Sequence, residues 1–351
     1  MRTIEVKASK GYRVLVGRGL LADVGGLMRQ AGRAGSVLVV CDDRVAPLYL
    51  QAVQESLCAA GFAADSFVFP HGEESKNLAT YARLLSHLAK KGLTKSDTLL
   101  ALGGGVVGDL TGFAAATYLR GLGFVQAPTT LLAAVDSSVG GKTAVDLPEG
   151  KNLVGSFYQP ELVVMDMETL KTLPAEEYAC GMAEVIKYGV LGDRDLFDQV
   201  KEGAGRFDEE AVVARCIQMK ADIVQEDEFD EGKRQLLNLG HTLGHAVEKA
   251  SGLTIPHGQA VAIGMAAVAR AAWKLGLSKE NCLPQIQQAL RANRLPDACP
   301  YGVQELLGAA LSDKKRRGER IHLILPWRIG ECYRHSMEVD KLGDFIRAAL
   351  S

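Results

Sequence analysis

The first 170 residues alternate two kinds of segment, and this alternation restricts the fold more than any other feature of the chain. Short apolar, β-branched runs, SVLVVC (36–41), DSFVF (65–69), DTLLAL (97–102), GFVQAP (123–128) and ELVVMD (161–166), are separated by stretches such as 44–60 and 76–91 with apolar residues at helical spacing. Apolar runs without polar alternation are strands buried on both faces. Strands separated by helices build βαβ units, and hence a mostly parallel sheet with helices on both sides. Residues 2–16 read as an added hairpin or edge pair.

Beyond residue 175 the texture changes. Alanine, leucine and charged residues recur with a helical period until IHLILP (321–326), the one late β-like run. The sequence therefore predicts an α/β fold in two parts. An N-terminal Rossmann-like, mostly parallel domain spans 1–174, and a predominantly α-helical domain spans 175–351, with Pro174 closing the first. A length of 351 residues agrees, at about 150 residues per domain.

Composition excludes several classes. Forty Lys and Arg against 42 Asp and Glu leave a net charge of −2, so no broad basic field exists to hold nucleic acid or an anionic membrane. Anionic ligands must be caught by a few local cations. No apolar stretch approaches the ~18 residues of a membrane span, and the opening residues lack the apolar core of a signal peptide. The seven cysteines (41, 58, 180, 216, 282, 299, 332) are scattered and never form a CxxC pair. They read as reduced packing residues of a cytoplasmic protein, not as a disulfide framework or zinc knuckle.

Three segments carry candidate chemistry. GGGVVGD (103–109) stands between a strand and a helix, and Gly103, Gly105 and Gly108 fit G-x-G-x-x-G. Glycines there let backbone N–H groups approach a pyrophosphate at a helix N-terminus. The fingerprint is non-standard, because the chain reads Gln126-Ala127-Pro128 where an acidic strand end belongs; an acidic strand end occurs earlier, at Asp42. A nucleotide site of unusual geometry and a turn kept for packing both stay open. Segment 128–160 presents Thr129, Thr130, Asp136, Lys142, Lys151 and Asn152 among glycines, which suits phosphate binding or a glycine-rich crossover. Gly141-Lys142-Thr143 resembles the end of a P-loop, but Asp136 stands where its first glycine belongs, so a P-loop ATPase is excluded.

The third segment, KRQLLNLGHTLGHAVEKA (233–250), is predicted as one helix. Leu236, Leu239, Leu243, Val247 and Ala250 form an apolar stripe. Arg234, Asn238, His241 and His245 form a polar stripe nearly opposite. Gly240 and Gly244 flank it at a cost of about 1 kcal/mol each, which implies close packing on that side. Histidines four apart on a helix face one cation. His257 follows Pro256 and opens another helical stretch, and Glu184 in GMAEVIKYG, with Lys187 at i+3, is the natural carboxylate. Two imidazoles and a carboxylate without cysteine form a catalytic type of zinc site. The H-E-x-x-H signature of metalloproteases is absent.

Taken in order, GGGVVGDLTGF, PTTLLAAVDSSVGGKT, GKNLVGSFYQP, GMAEVIKYG, LNLGHTLGH and HGQAVAIGM resemble the 3-dehydroquinate synthase family, from GEESK (72–76) through Met265 with an echo at DKK (313–315). The resemblance implies a homodimeric enzyme that uses NAD and a divalent metal, zinc or cobalt. Its substrate is the phosphorylated sugar acid 3-deoxy-D-arabino-heptulosonate 7-phosphate. By oxidation, phosphate elimination, re-reduction and aldol closure it yields 3-dehydroquinate, the second step of the shikimate pathway.

The resemblance makes Glu184, His241 and His257 the metal ligands. It assigns to NAD Asp42, Gly72, Glu73, Lys76, Gly104, Gly105, Val106, Val107, Gly108, Asp109, Thr129, Thr130, Lys142, Lys151, Thr169, Leu170, Lys171 and Thr172. Lys142, Lys187, His245, Asp136 and Asn238 become catalytic. Asn152, Lys220, Arg234 and Lys314 bind substrate, with Arg120 reaching across a dimer. Gln259 departs from the glutamate frequent in this motif, and SGLTIPHG is shorter than usual. Two rival readings are another sugar-phosphate cyclase, whose substrate lacks the carboxylate that Arg234 would bind, and an iron-type alcohol or glycerol dehydrogenase, which needs no phosphate-binding lysines.

Overall fold

The computed structural model describes residues 1–311 and 320–351, so Lys314 and the DKK motif lie outside the described residues. The chain divides into two compact units, residues 1–174 with 217–229 and residues 175–216 with 230–351.

The first unit is built on a seven-stranded sheet. Its strands are β1 (Arg2–Val6), β2 (Tyr12–Gly17), β3 (Ser36–Asp42), β4 (Ala63–Phe69), β5 (Thr98–Gly103), β6 (Gly123–Pro128) and, after a hairpin of β7 (Lys142–Leu147) and β8 (Gly150–Phe157), β9 (Leu162–Asp166). Across the sheet the order is β1-β2-β9-β6-β5-β3-β4. Strand β1 is antiparallel to β2, with Arg2 opposite Val16 and Val6 opposite Tyr12. From β2 to β4 every pairing is parallel.

Strand β3 shows why its sequence lacks polar alternation. Val37, Val39 and Cys41 pack on one face with residues of α1 (Val24–Gln30) and α2 (Gln51–Ala59). Leu38 and Val40 pack on the other with residues of α3 (Leu78–Lys90) and α4 (Gly105–Thr117). Each such side chain contributes about 1.5–3 kcal/mol when fully buried, so both faces demand apolar residues. The helices that follow the neighbouring strands β3 and β5 cover opposite faces. The ends of these strands therefore form the switch point at which an open parallel sheet offers a crevice to a ligand.

The second unit holds α5 (Ala175–Gly192), α6 (Arg194–Val200), the first half of α7 (Glu209–Glu226), α8 (His241–Ala250), α9 (His257–Lys274), α10 (Leu283–Ala292), α11 (Val303–Leu311) and α12 (Leu342–Leu350). An antiparallel hairpin of β10 (Arg320–Arg328) and β11 (Glu331–Glu338) completes it. Helix α9 is buried from Gly258 to Ala272 except at Gln259 and Arg270, and its small residues let neighbouring backbones come close. Among the described residues, no helix is long and apolar enough to cross a membrane.

The structure departs from the sequence reading in four places. The predicted helix over 233–250 is broken: Lys233–Asn238 is a tight 3₁₀ turn, and α8 begins only at His241. Gly240 between them has φ +78°, and a Cβ there would meet Met265 Cγ at 2.7 Å and the Val261 carbonyl at 2.8 Å. This position needs glycine for its left-handed backbone. Arg234 and Asn238 thus do not share a helix with His241 and His245. Segment 128–160 contains the β7–β8 hairpin, which the sequence reading did not resolve. Strand β11, ECYRHSME, is too polar to be read as a strand and forms by pairing with β10. Finally, the second half of α7 packs with the first unit, so a single cut near residue 174 does not describe the division.

Candidate active site

Three helices of the second unit bring the metal-type ligands together. Glu184 and Lys187 lie one turn apart on α5, each only 1% exposed, and form an ion pair. A pair that reads in sequence as a routine surface salt bridge is therefore buried. His241 opens α8, with Nε2 3.7 Å from Glu184 Oε1 and Nδ1 3.1 Å from the Leu239 carbonyl, to which it donates. His257 opens α9, with Nε2 3.6 Å from the same Glu184 oxygen and Nδ1 3.4 Å from Glu248 Oε2. Close backbone approach makes the convergence possible. A Cβ on Gly258 would strike the Cys180 backbone of α5, one turn before Glu184, and a Cβ on Gly244 would meet the Ala260 carbonyl at 2.9 Å.

The ligand atoms of Glu184, His241 and His257 all lie within 4.8 Å of one another. Two imidazole nitrogens and one carboxylate oxygen, with no thiolate, suit Zn²⁺ or Co²⁺ and leave coordination positions for a substrate. The residues present fit such an ion. Burial and the neighbouring charge of Lys187 pull His241 well below the usual imidazole range. Burial also pulls His257 down, but hydrogen bonds with Glu184 and Glu248 outweigh it and push the group up to about 9.

The His245 ring lies 5.5 Å from that of His241 and 6.0 Å from that of His257. With Glu248 and His257 it forms a second grouping of ligand type. Arg234, 2% exposed, and Asn238 occupy the preceding turn, where Asn238 Nδ2 donates to the Gln235 carbonyl at 3.1 Å. The Gln259 amide donates to Glu176 on α5 at 3.0 Å.

In the first unit, Gly104 caps α4 and the helix begins at Gly105. Lys76 gathers its surroundings: its Nζ is 2.6 Å from Asp109 Oδ2, 2.6 Å from Asn152 Oδ1 and 3.9 Å from Glu73 Oε1. Burial opposes its charge, but Asp109 and Glu73 hold its pKa above the ordinary lysine value. Lys151 Nζ lies 3.8 Å from Glu73, next to Gly72, which has φ +101°. Thr129 donates its N–H to the Gly103 carbonyl at 3.0 Å, and Thr130 Oγ1 accepts from Ala133 N at 3.2 Å. Asp42 ends β3 and accepts from the amides of Arg44 and Val45 at 2.9 and 2.8 Å. These residues surround the β3/β5 switch region, and the α4 N-terminus offers the backbone donors that a pyrophosphate requires. They fit a dinucleotide.

Several candidates can contribute only in a limited way. Val107 and Leu170 are buried, which leaves their backbone as the part a ligand can reach. Val106 sits beside Val107 in the first turn of α4. Lys171 is tied to Glu168. Thr169 and Thr172 donate to the carbonyls of Asp166 and Thr169 at 2.7 and 3.0 Å. Lys220 belongs to the first unit, where its Nζ lies 2.5 Å from the Asp136 carbonyl and 3.0 Å from Asp136 Oδ1. Lys142 is exposed at the start of β7, and Arg120 follows α4 with φ +65°. The sequence reading missed Glu248, although its place seven residues after His241 continues the polar stripe. It also missed Asp146, which accepts from Asn152 N at 2.7 Å.

The solved structures that resemble this chain include synthases that are at least 25% identical to it, and dehydrogenases such as the glycerol dehydrogenase of Schizosaccharomyces pombe, which at 14% identity and a TM-score of 0.66 shares the fold alone. The 2-deoxy-scyllo-inosose synthase complexed with carbaglucose-6-phosphate, NAD⁺ and Co²⁺ is 25% identical with a TM-score of 0.88, covering 99% of both chains. The 2-epi-5-epi-valiolone synthase of Streptomyces hygroscopicus subsp. jinggangensis, with NAD⁺ and Zn²⁺ bound, is 28% identical with a TM-score of 0.87, covering 100% of this chain and 98% of that one. Residues 66–180 match the family model for the 3-dehydroquinate synthase N-terminal region and 181–316 that for the C-terminal region. The 3-dehydroquinate synthase of Pelobacter propionicus is 45% identical over 339 residues, 94% of each chain. The chain belongs to the 3-dehydroquinate synthase family.

Proposed function

We propose that the protein is a 3-dehydroquinate synthase, a carbon–oxygen lyase that converts 3-deoxy-D-arabino-heptulosonate 7-phosphate into 3-dehydroquinate and phosphate with NAD and one zinc or cobalt ion. The observation that carries this reading is the convergence of Glu184, His241 and His257 within 4.8 Å in a chain 45% identical over 339 residues to a 3-dehydroquinate synthase. Those three residues would hold the ion. The start of α4, with Asp42, Gly72, Glu73, Lys76, Thr129 and Thr130, would hold NAD.

When bound, the cation supplies a Lewis acid for substrate oxygens and NAD a reversible oxidant, so the reaction runs with no net oxidation. The rest of the work falls to side chains. Arg234 offers a planar fork that matches the substrate carboxylate. The family resemblance assigns the phosphate contacts to Lys142, Asn152, Lys187 and His245. His245, whose ring lies 5.5 Å from that of His241, would take the proton lost as phosphate leaves. Lys220, held on Asp136, orients substrate hydroxyls with Asn238. The reading carries with it a cytoplasmic homodimer. The scattered, unclustered cysteines support the compartment.

Arg234 also favours this reading over a cyclase acting on a sugar phosphate without a carboxylate, which would have no use for the fork. Incubation with the heptulosonate phosphate and trace NAD tests the proposal. Phosphate and 3-dehydroquinate should appear in equal amounts, far exceeding the NAD supplied, and a chelator should stop the reaction. Steady NADH accumulation would instead mark a dehydrogenase, and full activity after exhaustive chelation would remove the metal from the scheme.

A further inference from the structure

We infer that Glu248 is a positioning residue of the metal centre: its buried carboxylate accepts the Nδ1 proton of His257 and so turns Nε2 toward the cation. The inference rests on the metal-site reading above. The His257 ring lies between two carboxylates, with Nε2 3.6 Å from Glu184 Oε1 and Nδ1 3.4 Å from Glu248 Oε2. Glu248 is 3% exposed, and a carboxylate removed from water to that degree needs donors to offset its desolvation.

His241 provides the comparison. Its Nδ1 donates to the Leu239 carbonyl at 3.1 Å, so backbone alone fixes that ring. His257 follows Pro256 at the first position of α9, and Glu248 is the acceptor the structure gives its Nδ1. Ligating imidazoles commonly donate their second N–H to a carboxylate or carbonyl, which selects the tautomer and raises ligand basicity. The connection between the helices holds Glu248 and His257 in register. Ser251 Oγ donates to the Glu248 carbonyl at 2.7 Å and accepts from Ile255 N at 3.2 Å, and Leu253 N donates to the same carbonyl at 2.9 Å. A competing role exists, because His245, Glu248 and His257 also fall within ligand distance of one another. In that case Glu248 would hold a second ion.

The test uses the full-length, metal-free chain titrated with Zn²⁺ against a chromophoric chelator, comparing wild type with Glu248→Met. The variant keeps a side chain of similar length but removes the acceptor for His257 Nδ1 along with the charge. Wild type should take one Zn²⁺, and the variant should bind it about 10–100-fold more weakly with the unfolding temperature of the metal-free protein unchanged. If the variant also loses stability, the Co²⁺-loaded forms decide: a shifted visible absorption band supports positioning, and the wild-type band overturns it. Equal Zn²⁺ affinity overturns it as well. Two Zn²⁺ per wild-type chain falling to one in the variant would make Glu248 a ligand and refute the positioning role. Failure of wild type to bind Zn²⁺ would refute the metal-site reading itself.

Discussion

At the scale of single residues, the centre of the second unit is a problem in charge balance. Glu184 is buried beside Lys187, and both candidate imidazoles aim a nitrogen at its carboxylate. With no cation bound, His257 is pushed up to about 9, against about 6.5 for an ordinary imidazole. It therefore carries a proton at pH 7, whereas a metal ligand must be neutral. Zn²⁺ binding at pH 7 should expel about one proton from this group. The sign follows: affinity rises with pH, about tenfold per unit below 9, and levels off above it. His241, held well below the usual range, adds no such slope near neutrality. Titration calorimetry in buffers of different ionisation enthalpy measures the release, and a proton count of zero would refute the raised value. Glu184, His241 and His257 were legible as candidates through the order of the family motifs, whereas the four-residue spacing pointed to His241 with His245, which the structure places in a separate grouping with Glu248 and His257. Glu248 was not legible, because a glutamate near a helix end reads as a solvated charge until its burial is known.

At the scale of elements, the metal-type cluster depends on how closely α8 and α9 approach. Gly240 has φ +78°, and a Cβ there would meet Met265 N and the Val261 carbonyl, both at 2.8 Å. These are backbone atoms and cannot swing aside as a side chain does. A left-handed conformation costs an L-residue about 1–2 kcal/mol, and overpacking adds about 1–3 kcal/mol. Gly240→Ala should therefore destabilise the protein by about 2–5 kcal/mol in urea unfolding. A loss below about 0.5 kcal/mol, the range of ordinary surface substitutions, would show that α8 relaxes away from α9. The periodicity of Leu236, Leu239 and Leu243 runs straight through this break, so hydrophobic spacing alone could not reveal it. Buried parallel strands such as β3 were legible because both faces exclude water. Strand β11 was not, because its residues are polar and its stability comes from pairing with β10.

At the scale of the whole molecule, a net charge of −2 leaves no long-range attraction for an anionic substrate, so recognition must come from short-range geometry. Arg234 is the clearest case. It is 2% exposed, and Arg234→Lys keeps the positive charge while removing the planar two-pronged donor. A hydrogen bond to a charged group contributes about 1.5–3 kcal/mol, so KM for the heptulosonate phosphate should rise about 10- to 150-fold. The candidate NAD residues all belong to the first unit and Arg234 to the second, so the NAD dissociation constant should not change. Matching unfolding temperatures for the two proteins would show that folding is intact. Equal losses for substrate and NAD would mean that Arg234 supports the fold rather than recognising a carboxylate. A variant with unchanged KM would mean that charge alone suffices at this position.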